Sequence, residues 1–90
     1  MKAPELERQL KALANRRRLT ILKFLRSRRE ANVSDIAENI RLSFTSTSRH
    51  LRLLENVGFL EKEQRGLEMY YSVAEAAPIL TEQVLKQLER

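Results

Sequence analysis

One segment near the middle of the sequence carries hydroxyl and guanidinium side chains at helical spacing, and they are Thr45, Ser48, Arg49 and Arg52. At about 100° per residue these four share one face of a helix, opposite Leu51 and Leu54. No acidic residue follows in this segment before Glu55. Arginine can donate a bidentate hydrogen-bond pair to guanine, worth about 1–3 kcal/mol of base discrimination, and short hydroxyls let a helix approach base edges. The pattern therefore predicts contact with the major groove of duplex DNA.

A plainer interpretation of the same segment stays open. Thr45 and Ser46 could cap the helix, while Arg49 and Arg52 could simply be solvated. Serine and threonine are poorer choices than Glu, Lys or Gln at exposed positions within a helix, so helix propensity does not explain the composition. DNA recognition does explain it, and Ser46 is included among the candidate DNA contacts.

The charge of the chain is unevenly distributed. Its 17 basic and 12 acidic residues give a net charge of +5. Residues 1–57 carry 13 basic against 6 acidic side chains, whereas residues 58–90 carry 4 against 6. A basic N-terminal part favours a polyanionic partner. Arginines 16–18, 26, 28 and 29 either touch phosphates or are solvated, and Arg17 is taken as a candidate phosphate contact.

The absence of cysteine excludes a thiol redox switch, a disulfide scaffold and a thiolate metal site. The single histidine is too few for a zinc-like site, so no metal and no cofactor are expected. No paired catalytic constellation or glycine-rich phosphate loop is present, which argues against an enzyme. No apolar run is long enough to span a membrane, and no signal-peptide core is seen, so we expect a cytoplasmic protein.

Four helices are predicted before residue 58. Pro4 suits a first helical turn, and the helix that it opens ends near Ala14. Asn15 and Asn32 are good N-caps for the second and third helices, and Ser43 can cap a fourth helix that runs from Phe44 to Val57. Gly58 then stands where a left-handed residue commonly ends a helix. The third and fourth helices are joined by a tight turn at residues 41–43.

Beyond Gly58 the apolar period changes to two, and residues 59–64 and 69–73 predict one β-hairpin. Pro78 is expected to open a last helix. The whole chain, residues 1–90, is predicted to be one winged helix-turn-helix domain of mainly α class with the order α-α-α-α-β-β-α. The apolar residues of the first and last helices exceed what a small core can absorb, so they predict a homodimer interface. These residues are Leu6, Leu10, Leu13, Ile79, Leu80, Val84, Leu85 and Leu88.

The sequence also resembles the arsenic-repressor (ArsR) family of dimeric repressors. The segments that carry the resemblance are LANRRRLTIL (13–22), LSFTSTSRHL (42–51), LENVGFL (54–60) and YY (70–71). The resemblance implies dimerisation through the first and last helices, and base contacts from Phe44, Thr45, Ser48 and Arg49. It also implies that the hairpin, or wing, reaches the flanking DNA backbone.

Three departures from the family pattern shape these expectations. Asn32 and Ser34 stand where metal sensors of the family often carry a Cys-x-Cys pair, so thiolate metal sensing is not expected. Phe44 replaces the usual glutamine, and it either touches a thymine methyl or packs inward. The wing tip is apolar and acidic, which leaves Lys62 and Arg65 as the candidate wing contacts.

Together these features predict a sequence-specific DNA-binding regulator, a homodimeric repressor of a pseudo-palindromic operator. Two-fold pairing doubles the roughly four base pairs that one helix reads. The effector stays unknown. The alternative is a winged-helix module whose basic face docks an acidic protein without reading DNA.

Overall fold

Five helices and three short strands follow one another along residues 1–89, which are the residues that the computed structural model describes. In chain order they are α1 (Ala3–Leu13), α2 (Arg16–Arg28), β1 (Glu30–Asn32), α3 (Val33–Ile40), α4 (Phe44–Val57), β2 (Leu60–Arg65), β3 (Glu68–Val73) and α5 (Leu80–Leu88). The predicted winged helix-turn-helix order is confirmed, with β1 as an addition to it.

Local side-chain caps set the beginnings of three helices. The side chains of Asn15, Asn32 and Ser43 each accept a hydrogen bond from the backbone N–H three residues on, at 3.1, 2.8 and 3.1 Å. Such a cap is worth about 1 kcal/mol relative to alanine. Gly58 ends α4 with φ of 95°, a left-handed conformation that glycine adopts without strain. All four predicted caps are confirmed.

The sheet has three antiparallel strands in the order β1-β3-β2, so the predicted hairpin has a third strand at its edge. In the centre of the sheet, Tyr71 of β3 lies opposite Ala31 of β1 and Lys62 of β2. The prediction of a hairpin alone was incomplete. A strand of three residues is too short to show a period of two, and β1 pairs with a strand some forty residues later.

Helix α2 lies at the centre of the core, as its wide apolar stripe predicts. Ile21, Leu22 and Leu25 are essentially inaccessible to solvent, and they belong to the same cluster as Ile36 of α3 and Leu51 of α4. Each large apolar side chain buried in this way contributes about 1.5–3 kcal/mol. Helix α2 thus anchors both helices of the helix-turn-helix in one core.

The last helix begins two residues later than predicted. Pro78 lies in the turn before α5, where its carbonyl accepts a hydrogen bond from the Thr81 N–H at 2.9 Å. The helix itself starts at Leu80. Proline fixes φ at a helical value but does not by itself set where the helical hydrogen bonds begin.

Two of the residues assigned to the dimer surface lie inside the chain's own core. Leu13 is 6% exposed and Leu85 is 3% exposed, because both pack into the central cluster. Their own chain covers them, so we leave them out of the dimer surface. By contrast, Leu6, Leu10 and Ile79 are 38%, 49% and 83% exposed. The remaining three, Leu80, Val84 and Leu88, are half-buried against the core.

Candidate nucleic-acid interface

A tight turn fixes α4 against α3. Arg41 ends α3 in a left-handed conformation with φ of 56°, and its N–H bonds back to carbonyls of the last helical turn. The N–H of Leu42 then donates to the carbonyl of Ala37 at 3.0 Å. Ser43 caps α4 immediately afterwards. Because successive backbone groups are satisfied within three residues, the turn holds the two helices in one relative orientation.

Arg17 of α2 forms hydrogen bonds with the backbone of this turn. Its guanidinium donates to the carbonyl of Ile40 at 2.6 Å and lies 3.4 Å from the carbonyl of Arg41. These carbonyls belong to the end of α3, where helical carbonyls have no partner within the helix. The sequence made Arg17 a candidate phosphate contact, but in the structure its side chain is engaged by the protein's own backbone.

The inner face of α4 is completely buried in the core. Thr47, Leu51 and Leu54 are each 0% exposed, as their spacing predicts. The opposite face therefore points away from the protein. Thr45, Arg49 and Arg52 are exposed there, while Ser46 and Ser48 are half-buried. The structure thus brings the predicted hydroxyl and guanidinium groups together on one accessible face.

The electrostatics of this face suit an anionic partner. The first turn of α4 contains no acidic residue, and its backbone N–H groups carry the positive end of the helix dipole. Among the ion pairs formed within residues 1–89, none includes Arg49 or Arg52. Both guanidinium groups therefore keep their charge available to an external ligand.

Phe44 occupies the first position of α4 and is 57% exposed. Of the two alternatives that the sequence left for this residue, packing inward does not fit, because the aromatic ring lies outside the core cluster. The ring projects from the N-terminal end of the same helix that carries the polar face.

A second arginine of α2 connects α4 to α1. Arg18 donates to the carbonyls of Ala12 and Lys11 at 2.6 and 3.2 Å, and its guanidinium lies 3.2 Å from Nδ1 of His50. Burial, and then the nearby positive charge of Arg18, lowers the pKa of His50. A neutral imidazole can accept this hydrogen bond at Nδ1. Sequence reasoning missed the role of Arg18, since nothing distinguishes it from its neighbours Arg16 and Arg17.

The wing consists of β2, β3 and the turn between them, and both of its candidate contacts are paired with carboxylates. Lys62 lies 3.3 Å from Glu55. Arg65 makes a bidentate pair with Glu30 at 2.8 Å for both bonds, and it also binds Glu63. Its guanidinium lies 4.5 Å from the centre of the Tyr70 ring.

These ion pairs affect how readily Lys62 and Arg65 of the wing could bind a DNA phosphate. The hydrogen bond from Arg65 lowers the pKa of the Glu30 carboxyl, and both carboxylates raise the pKa of Arg65. A phosphate at the wing would therefore compete with these carboxylates for Arg65 and Lys62, although exposed ion pairs of this kind are weak. The predicted wing contacts remain a prediction.

Neither a metal-binding cluster nor a membrane-spanning helix is formed within residues 1–89. No three His, Cys, Asp or Glu side chains of these residues come together in a way that could hold a metal ion. No helix in this part of the chain has the length and apolar character needed to cross a membrane.

A helix pair joined by a tight turn, followed by a β-hairpin and flanked by further helices, defines a winged helix-turn-helix protein. Comparison with known families extends this assignment. The model of the arsR family of bacterial regulatory proteins matches residues 15–62, which include α2, α3, α4 and the start of the wing. The chain belongs to this family.

Similar proteins agree with the family and the fold. The chain is 33% identical over 67 residues to the arsenical resistance operon repressor of Bacillus subtilis, a match that covers 74% of this chain. HlyU from Vibrio cholerae superposes with a TM-score of 0.82 at 26% identity, over 100% of this chain and 96% of that chain.

A homodimeric winged helix-turn-helix DNA-binding domain from Mycobacterium bovis, a possible ArsR-family transcriptional regulator, has a TM-score of 0.78. It is 30% identical over 96% of this chain and 76% of that chain. The chain spans between about half and two thirds of the length of the curated relatives that it matches.

Proposed function

We propose that this protein is a transcriptional regulator that binds double-stranded DNA sequence-specifically through the outer face of α4. The observation that carries the proposal is that Thr45, Arg49 and Arg52 are exposed together on a helix whose other face is anchored in the core. A helix held in this way can enter the major groove without losing its own packing.

The chemistry of the face matches the edges of DNA bases. Arg49 and Arg52 each carry a planar guanidinium that can donate two hydrogen bonds to O6 and N7 of guanine. The hydroxyls of Thr45 and Ser48 are short enough to bond a base edge or a phosphate while the helix backbone lies close. The N-terminal amides of α4 provide a further phosphate site.

We propose that the regulator acts as a homodimer. One recognition helix contacts too few base pairs to select a site in a genome, whereas two helices related by a two-fold axis read two half-sites one helical turn apart. Leu6 and Leu10 of α1 and Ile79 before α5 give an exposed apolar surface that a second copy would cover. The homodimeric domain from Mycobacterium bovis supports this assembly.

Repression is the proposed outcome of binding. The arsenical resistance operon repressor of Bacillus subtilis is similar over 74% of this chain. A dimer bound across a promoter would exclude polymerase without any catalytic step, so no cofactor is needed. Such a regulator would act in the cytoplasm, the compartment that holds bacterial DNA. Residues 1–90 would form a single domain that contains both the DNA-binding helix and the dimerising helices.

Two steps test the proposal. Bound duplexes are first selected from a random library, and the affinity of the protein is then measured for the selected duplex and for a scrambled one. We expect the selected sequence to be pseudo-palindromic and bound at least about a thousandfold more tightly than the scrambled duplex, the lower end of the usual range for specific binding. Arg49→Ala should lose about 5–150-fold per half-site on the selected sequence, the equivalent of about 1–3 kcal/mol, and little on the scrambled one.

Lys86→Ala provides the matched control, because it removes one positive charge from α5, which packs on α2. It should leave the ratio of the two affinities unchanged. If the protein bound both duplexes equally, and Arg49→Ala and Lys86→Ala had the same effect, then α4 would not read bases. A basic face that docks an acidic protein would then be the better account.

A further inference from the structure

Phe44 is an exposed aromatic side chain that neither the core nor the polar recognition face explains. It is 57% exposed at the first position of α4. Complete burial of a Phe side chain contributes about 1.5–3 kcal/mol, and Phe44 forgoes the part that belongs to its exposed surface. The exposed part of the ring is therefore available to a contact outside the chain.

Helix α1, which carries Leu6 and Leu10 of the proposed dimer surface, packs near the other end of α4. Helix α1 meets α4 through the C-terminal half of α4, where Leu53 and Val57 line a cleft with Ala12. Leu53 is nine residues after Phe44, which places it about 13 Å further along the axis and half a turn around the helix. Phe44 is therefore remote from the face through which α1 packs.

The neighbours of Phe44 indicate what it would meet. Ser48 follows one turn later on nearly the same side of the helix, and Thr45 is adjacent and exposed. The N-terminal residues of a helix docked in the major groove are the ones that reach base edges. Phe44 would thus approach the floor of the groove together with the two hydroxyls.

Resting on the function proposed above, we infer that Phe44 is a specificity-determining residue that contacts the C5-methyl group of a thymine in each half-site. A phenyl ring has no hydrogen-bond donor or acceptor, so it cannot use the polar pattern of the groove or bind a phosphate. Thymine alone among the four standard bases presents a methyl group there, and an apolar side chain is its natural contact. The operator is accordingly expected to hold a thymine at a fixed place in each half-site.

Replacement of single thymines by deoxyuridine in the selected duplex tests this inference, since it removes one methyl group and leaves base pairing unchanged. For the wild-type protein, we expect one symmetric pair of positions at which the substitution weakens binding about fourfold per half-site, and about fifteenfold for both. This is the effect of one buried methyl group in each half-site. Phe44→Ala should bind the thymine and deoxyuridine duplexes with equal affinity.

Two comparison variants separate a specific contact from a general loss of apolar surface. Leu53→Ala removes an exposed apolar side chain from the same helix, and it should keep the full response to deoxyuridine. Phe44→Leu should keep part of the response, because leucine can still touch a methyl group. Thermal unfolding of Phe44→Ala should match the wild type, since the ring lies outside the core cluster.

The possible failures are distinguishable. If the wild type binds the selected duplex but no deoxyuridine substitution weakens binding, or if Phe44→Ala shows the same response as the wild type, the thymine contact is overturned and the proposed function stands. If no duplex is preferred over the scrambled one, the proposed function fails and this inference fails with it.

Discussion

Replacement of Arg17 by alanine distinguishes a structural role from a DNA-contacting role for the arginine run at the start of α2. The sequence alone leaves Arg17 as a candidate phosphate contact. In the structure its guanidinium donates to the carbonyl of Ile40 at 2.6 Å, at the end of α3. Arg17→Ala should therefore loosen the turn before α4 and reduce the stability of the fold.

The size of the effect follows from this geometry. A hydrogen bond with a charged donor contributes about 1.5–3 kcal/mol. Arg17 is half-buried, so solvent competes for both groups and we expect about 1–2 kcal/mol. For a chain of 90 residues, 1 kcal/mol shifts the melting temperature by about 4–8 °C. The melting temperature of Arg17→Ala should fall by about 5–15 °C.

Urea and thermal unfolding measure this difference, with all proteins at one concentration because a dimer's melting temperature depends on it. Arg16→Ala is the matched control, since Arg16 is the exposed neighbouring arginine on the same helix, and it should change stability by less than about 0.5 kcal/mol.

The salt dependence of DNA affinity, measured below the melting temperature, completes the test. A lost phosphate contact would reduce the slope of log K against log salt by about one per subunit. Unchanged stability of Arg17→Ala together with such a reduced slope would refute the structural role and restore the phosphate contact.

Three further predictions concern the core, pH and assembly. The Thr47 hydroxyl is buried without a hydrogen-bond partner, so Thr47→Val should raise the free energy of unfolding by about 1 kcal/mol in urea melts, and a loss would show that the hydroxyl has a partner. Because the pKa of His50 is lowered from 6.5, the unfolded chain binds the proton more tightly. Stability should be full above about pH 6.5 and fall as the pH drops through the folded pKa. His50→Asn should flatten this pH dependence of the melting temperature, and an unchanged profile would assign it to other groups. Leu10→Glu should convert the dimer to a monomer in sedimentation equilibrium and weaken DNA binding, whereas Leu67→Glu at the exposed wing tip should not; a dimeric Leu10→Glu protein would contradict the proposed surface.

The features that the sequence predicts correctly are those that depend on near neighbours. The caps at Asn15, Asn32 and Ser43 each involve a backbone N–H three residues away. Gly58 ends α4 through its own conformational freedom. The burial of Thr47 and the exposure of Arg49 follow from helical periodicity alone. The inner and outer faces of α4 were therefore predictable before any tertiary contact was known.

The features that the sequence does not reveal depend on residues far apart in the chain. Strand β1 exists because Ala31 pairs with Tyr71, and no pattern within three residues signals such a partner. Arg65 binds Glu30 across 35 positions. Leu85 belongs to the same apolar stripe as the half-buried Val84 and Leu88, but the position of α5 against α2 places it fully in the core. In each case the local sequence allows several conformations or partners, and tertiary packing determines which one is formed.

The arginines show why net charge alone does not locate a DNA-binding surface. Arg17 and Arg18 are bound to backbone carbonyls, and Arg65 is bound to carboxylates, so part of the hydrogen-bonding capacity of these cations is already used within the protein. Arg49 and Arg52 take part in none of the ion pairs of residues 1–89. Their N–H donors therefore stay available to an external ligand. The basic N-terminal part favours a polyanion in general, and we propose α4 as the place where it binds because Arg49 and Arg52 share one face there with the hydroxyls of Thr45 and Ser48.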